Sequence, residues 1–503
     1  MKKNKRRLAA ALCAAVIFAG SVIPSAANAG EPSESYNYDR WNEAVPSQAG
    51  YAAERSVSGS DLGVGSFDTP SDIFCAWDGL FYIADTKNDR IVAVDEEFTS
   101  AVKVYSSFTK PDGSKTTLDK PKGVYVSQYT GYMYIADSEN DRVLIATREG
   151  GYISEITRPD DPVYNAPTFK PLRVLADKAG NVYTVLGNIT TGAAMFSPDG
   201  KFIGFYGANR VQPTKEIIGT FFRSLFLTEE KKARRTRNVP TGITSFDIDG
   251  DFIFTCTSSS SQKTDTVKKL NAAGKNIFAN LPLVIGDYTP IYDSYQNTVF
   301  SPAITDIDIS EDGCINCLDY TTGRIFQYDE DCNLLFIAGA KANQLGGFTS
   351  AAALESHANK LYVVDSVKDT VTVFRETDFG AAVHKATALY NAGYYEEALE
   401  PWYEVLRRDS GYKRANIGVA SALLRKGDYK GSMKYAKRAG SPDIYNKAFE
   451  GYRREFIKKH FAAIAAVIMI STAALILRGR RRRRRSAAGN NKEKEEQSDD
   501  GSD

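Results

Sequence analysis

Tyr82-Ile-Ala-Asp85-Thr-Lys-Asn88-Asp-Arg90-Ile91 and Tyr134-Ile-Ala-Asp137-Ser-Glu-Asn140-Asp-Arg142-Val143 are one segment written twice, 52 positions apart. Each copy is an apolar strand that runs into a polar Asn-Asp turn and out into a second strand. Further copies lie downstream in looser form. They are Asn181-Val-Tyr183 with Ala194-Met-Phe196, Phe252-Ile-Phe254 with Val267, Ile315 with Arg324-Ile-Phe326, and Leu361-Tyr-Val-Val-Asp365 with Thr370-Val-Thr-Val-Phe374. Each set opens at a proline or small-residue loop, at Pro70, Pro121, Pro171, Pro240, Pro302 and Thr349. Short strands recurring about every 50 residues and closed by Gly or Asp-Gly turns specify a mainly β fold, a six-bladed β-propeller over residues 50–378. Tyr51 to Val57 reads as an outer strand without its own inner three. It is expected to complete blade six, which closes the ring and removes an exposed sheet edge.

The repeated core resembles that of the NHL-repeat family of six-bladed propellers, closely in blades one and two, fairly in five and six, and loosely in three and four. The resemblance implies a binding platform. The residues that recur, Asp85, Asn88 and Arg90 with Asp137, Asn140 and Arg142, read as turn locks rather than ligands, because side chains repeated in successive blades most simply hold each turn to the backbone. Residues at the start of the innermost strands that differ between blades are the candidate ligand contacts: Asp72, Arg173 and Asp306. Blade-to-blade connections are long, at Thr109 to Lys120, Asn209 to Val239 and Asn280 to Ser301, whereas Asp78-Gly79, Asp249-Gly250 and Asp312-Gly313 are tight turns. A ligand site is therefore expected on the long-loop face. The longest insertion, residues 213–238, pairs an apolar helical stripe (Ile217, Ile218, Phe221, Phe222, Leu225, Phe226) with a basic run ending at Arg237, a fourth candidate contact.

Chemistry for catalysis is sparse, with three histidines in the chain: His357 in a tight turn, His384 in a helical segment and His460 near the apolar run. No catalytic residue, metal ligand or cofactor is assigned. Cys314-Ile-Asn-Cys317 lies on a strand, where residues three apart face opposite sides, so the pair does not chelate one ion. Five cysteines remain once the leader is removed, and they read as buried free thiols. Asp247-Ile-Asp249-Gly250-Asp251 opens like a calcium loop, but Ser258 stands where the closing Glu is needed.

After Phe379 the period becomes helical. Gly393, Tyr395 and Ala398 recur 34 positions on as Gly427, Tyr429 and Ser432. Residues 381–458 resemble a tetratricopeptide (TPR) repeat pair closed by a third helix. That resemblance implies a groove for a protein partner, with Tyr394, Arg407, Arg408 and Arg414 as its candidate lining.

The two ends carry the location signals. Residues 1–29 hold a basic start, a short apolar run and Ala27-Asn28-Ala29, a signal peptide with its cleavage site. Phe461 to Leu477 is an uncharged run that can cross a bilayer if Lys458, Lys459 and Arg478 snorkel, giving a transmembrane helix over 459–477. The arginine block Arg480 to Arg485 places the tail inside. Residues 478–503 are expected to form a basic, then acidic, disordered cytoplasmic tail. With 63 basic and 62 acidic residues the chain is no nucleic-acid coat. The combined expectation is a single-pass cell-membrane protein with its propeller outside, binding a glycan or a protein and docking a membrane protein. Resemblance to surface NHL-TPR proteins implies a role beside a sugar-uptake system. The alternative is a hydrolase or lyase resembling propeller lactonases, with a divalent metal at the channel mouth.

Overall fold

The computed structural model describes residues 35–499 except 165, 188, 209–241, 259–265, 281–283, 289–290, 294–297 and 301. The expected signal peptide over residues 1–29, the insertion 213–238 and Arg237 lie outside the described residues.

Six antiparallel sheets form the propeller, each running outward in chain order. Blade one is Pro70–Cys75, Phe81–Asp85, Arg90–Val94 and Ala101–Tyr105, and blade two is Pro121–Val126, Tyr132–Asp137, Arg142–Thr147 and Tyr152–Thr157. Blade three is Pro171–Ala176, Val182–Leu186, Ala193–Phe196 and Phe202–Tyr206. Blade four shows three strands, Ser245–Asp249, Phe252–Cys256 and Val267–Leu270, and blade five is Ile304–Ile309, Ile315–Asp319, Arg324–Tyr328 and Leu334–Ala338. Blade six combines Ala351–His357, Lys360–Asp365 and Thr370–Glu376 with Tyr51–Ser58 as its outermost strand. The N-terminal strand thus closes the ring as its sequence predicts. The seam is packed with aromatics, Phe81 of blade one lying 4.3 Å from Tyr362 of blade six between ring centroids.

Burial follows position in the blade. The second strand sits between neighbouring sheets and is buried on both faces, every residue of Phe81–Asp85 included. The outermost strand meets water on one face, and Ala101–Tyr105 alternates accordingly. This is why the second and third strands carry the strongest sequence signal.

The repeated polar residues are turn locks, as expected. The Asp85 carboxylate accepts hydrogen bonds from Asn88 Nδ2 at 2.8 Å, Arg90 Nε at 2.7 Å and the Asp68 amide at 2.8 Å. Asp137 repeats the set with Asn140, Arg142 and the Asp119 amide, each at 2.8 Å. Each lock ties the end of the second strand to the loop entering its own blade. Blades five and six keep the aspartate, Asp319 accepting from Ala303 N and Asp365 from Thr349 N. Leu186 and Thr257 stand there in blades three and four.

Five helices follow: α1 (Asp378–Asn391), α2 (Leu399–Arg408), α3 (Lys413–Lys426), α4 (Tyr429–Ala439) and α5 (Pro442–Asp499). The chain divides after Ala388, so that the helical unit begins at Leu389, eight residues beyond the start at 381 that the sequence suggests, and Asp39–Trp41 belongs with the helical unit. The first turns of α1 are fastened to the propeller, for example by the Thr377 hydroxyl donating to Ala49 O at 2.7 Å. Gly393 and Gly427 both adopt left-handed φ, +86° and +82°, and each ends a helix. Trp402 of α2 is fully buried over Gly418 of α3, where an added Cβ would come within 2.4 Å of its Nε1. Ser432 lets α3 and α4 approach, its hydroxyl donating to Ala420 O at 2.7 Å.

The helix α5 packs its start on α4 through Ala448 and Gly451, bends at His460, and then carries one apolar stretch long enough to cross a membrane. Its backbone stays helical to Asp499, whereas the sequence expectation is a structureless tail from 478. Lys, Glu, Gln and Arg are strong helix formers, and helix needs only local bonds.

Candidate functional site

The innermost strands ring a central channel with amides that no strand ladder satisfies. Counting from each strand's pairing with its neighbour, one set of equivalent positions is Asp72, Gly123, Arg173, Ser245, Asp306 and Ala353. Three of the four ligand candidates read from sequence therefore stand in one ring. Their polar groups, however, are taken up internally. Arg173 crosses the channel, its guanidinium donating to Ser71 O, Lys122 O and Ala352 O at 3.0 to 3.2 Å, with Nε 3.4 Å from Asp72. Asp72 accepts from Val124 N at 2.9 Å and Asp306 from Leu354 N at 2.7 Å. The trio plugs the channel and joins blades one, two, three, five and six. Burial pushes Asp72 up to about 7 against the pull of Arg173, and Asp306 upward for the same reason.

Two residues further along each strand comes a second ring: Phe74, Tyr125, Leu175, Asp247, Asp308 and Glu355. Blades one to three contribute apolar side chains, and blades four to six contribute carboxylates. All but Leu175 line a cavity of about 260 Å³ that opens among the tight turns, with Trp77, Tyr129 and His357 at its rim. This is the face opposite the one the loop lengths favour. That this mouth is open has a physical reason. The innermost strands converge on the axis at both mouths, and tight turns leave theirs uncovered, whereas loop length says nothing about what fills the channel.

Each cavity carboxylate also braces the next blade. Asp247 accepts from Ile309 N at 2.7 Å, Asp308 from Ser356 N at 3.2 Å and Glu355 from Cys75 N at 2.9 Å. Burial pushes Asp308 up to about 6. Burial first, then repulsion from Asp308, drives Asp247 and Glu355 well above the usual carboxylate range. Among the described residues, no lysine or arginine lines the cavity. Trp77 and Tyr129 are each 51% exposed, and Arg148 lies 5.2 Å over the Trp77 ring while pairing with Asp78. His357 places its two ring nitrogens 3.4 Å from Glu96 and 3.3 Å from Glu311. The arrangement can receive hydrogen-bond donors on one wall and an apolar or stacked face on the other.

Sequence reasoning missed Asp247, Asp308 and Glu355, although the period of two along each innermost strand leads to them from Ser245, Asp306 and Ala353. Asp247, the first residue of the calcium-like run, is turned to the channel, while Asp249 and Gly250 make the hairpin.

On the helical unit the four partner candidates separate. Tyr394 is exposed, and Arg407 and Arg408 are exposed but paired with Glu400 and Glu404 of their own helix. Arg414 is a correction: it is 5% exposed, stacked over Tyr390 and Trp402 at 4.7 and 5.8 Å, and so belongs to the core of the unit. All five cysteines among the described residues are unbridged. Cys256, Cys314 and Cys317 are buried, while Cys75 and Cys332 are partly exposed.

No family profile and no curated protein matches the chain. Solved structures that it resembles are propellers or contain one. Streptogramin B lyase is 12% identical, with 66% of this chain and 100% of that one covered and a TM-score of 0.39. Virginiamycin B lyase from Staphylococcus aureus with quinupristin is 10% identical over 64% and 99%, TM-score 0.38. Hydrazine synthase of Kuenenia stuttgartiensis is 10% identical over 62% and 96%, TM-score 0.38. Likenesses this distant carry no statement about activity.

Proposed function

We propose that the chain is a membrane-anchored binding protein whose propeller takes a glycan or a protein group into the cavity at the tight-turn mouth. The observation that carries this reading is the division of one ring of equivalent positions into an apolar half and an acidic half, beneath two exposed aromatic side chains. A sugar ring or an amine-bearing side chain suits it, since each offers donors to Asp247, Asp308 and Glu355 and a face to Trp77 or Tyr129. The turn locks of blades one and two support placing the propeller with NHL repeats. The matched turns at Gly393 and Gly427 support placing α1 to α4 with TPR pairs, where Tyr394, Arg407 and Arg408 remain available to a membrane partner.

Calorimetric titration of the detergent-solubilised chain with a panel of defined oligosaccharides and with a lysine-bearing peptide tests the cavity. Trp77→Ala and Glu355→Gln are each expected to weaken the ligand found by about tenfold, the effect of losing roughly 1.4 kcal/mol of contact. Affinity unchanged in both variants removes the cavity from consideration.

A second reading, a hydrolase or lyase, has one observation in its favour: His357 stands at the rim of a cavity that also holds acids with raised pKa. Turnover of a cavity ligand, lost in His357→Ala with binding retained, is what that reading requires.

A further inference from the structure

Blade five departs from its own repeat along one row. At the middle of the second strand the other blades carry Tyr82, Tyr134, Tyr183, Phe254 and Tyr362, while blade five carries Asn316. The row Asp308, Asn316, Gln327 is in cross-strand register and buried throughout. The tight turn of the same blade places Cys314 where blade one has Leu80. These departures converge on His384 of α1.

Hydrogen-bond polarity along the row is fixed from its inner end. The Asp308 carboxylate accepts from Asn316 Nδ2 at 2.8 Å, so Asn316 Oδ1 faces outward and accepts from Gln327 Nε2 at 2.9 Å. Gln327 Oε1 is then the group that meets His384 Nε2 at 2.7 Å, and that nitrogen must carry the proton. Nδ1 is left to face Glu376, with which it is in contact. Ligand atoms of Asp312, Cys314 and His384 all lie within 4.8 Å of one another. An imidazole whose second N–H donates to a carbonyl oxygen is the usual support of a metal-ligating histidine.

We propose that Asp312, Cys314 and His384 form a binding site for one zinc ion, with Glu376 beside the imidazole. Thiol and imidazole donors together select a borderline-soft ion over calcium or magnesium, and one carboxylate, one sulfur and one nitrogen supply three corners of a tetrahedron, with the fourth left to water. Cysteine ligates as the thiolate, so Zn²⁺ takes the place of the Cys314 thiol proton, which is released to solvent. The ion would fasten the start of α1 to blade five, at a site separate from the cavity.

The test uses the full chain in detergent, stripped by chelator and titrated with Zn²⁺ and, in parallel, with Co²⁺. The proposal expects one zinc per chain by elemental analysis and a cobalt–thiolate charge-transfer band in the near ultraviolet. Cys314→Ser should abolish that band and Cys317→Ser should keep it. Gln327→Leu should weaken zinc binding by about 10–100-fold, the usual effect of removing such a support. Should His384→Ala fail to fold, the cobalt spectrum of Cys314→Ser decides alone. A chain that takes up no stoichiometric zinc, or a cobalt spectrum the same in Cys314→Ser as in the parent, overturns the proposal and leaves His384 and Glu376 as a plain hydrogen-bonded pair.

Discussion

Asp72, Asp247, Asp306, Asp308 and Glu355 share the channel with one guanidinium among the described residues, that of Arg173. Each sits where water is scarce, so burial works against its charge more than its hydrogen bonds favour it, and the pKa shifts are upward. The sign of the consequence is fixed. An acid whose folded pKa exceeds its unfolded value adds stability that is full below the unfolded value and is lost as pH climbs through the folded one. With Asp308 at about 6 and Asp72 at about 7, against 3.8 unfolded, the thermal midpoint of the propeller is expected to fall between about pH 4 and pH 8. Surface acids with lowered pKa, such as Asp61 and Asp112, act in the opposite sense but are solvated and weigh less. Scanning calorimetry across that range checks this, and Glu355→Gln, which keeps the acceptor for Cys75 N, should flatten the decline. A midpoint that rises with pH contradicts the burial assigned to the channel.

At the scale of the element, the turn lock separates strong blades from weak ones. Asp137 is fully buried with Arg142 against it and the Asp119 amide on its other oxygen. Asp137→Ala strands a buried guanidinium and an amide together, and is expected to cost about 3 kcal/mol in urea unfolding. A loss below about 1 kcal/mol would mean that water takes over the lock. These locks were legible from sequence because a residue needed for a local turn recurs at a fixed distance from that turn. The Cys314 to His384 cluster was not legible. Its members lie 70 positions apart, and α1 reaches blade five only because ring closure brings Gly50 and Thr377 together. Arg414 was misread for a related reason: its basic head suggests surface, yet two aromatic faces can replace water around a guanidinium.

For the whole molecule, the proposed topology follows from an apolar stretch in α5 with arginines after it. Protease added to intact cells is expected to release the propeller as a soluble fragment and to spare the segment from Arg478 onward, as followed with antibodies to each end. Clipping of the tail with survival of the propeller would reverse the orientation, and the proposed ligand would then have to be sought inside the cell.

The sequence by itself determined the blades, their number, the strand that closes the ring, the turn locks and the apolar run, because each is written in spacing along a few dozen residues and satisfied by bonds close to where it is written. Only the tertiary structure decided which channel mouth holds a cavity, that Asp72, Arg173 and Asp306 are satisfied inside the channel, and that Phe74, Tyr125, Asp247, Asp308 and Glu355 line one cavity. Those facts depend on closing a ring of more than 300 residues, which turns one strand position in each blade into a neighbour of the same position in the next. No local pattern records which chemistry the neighbours will bring.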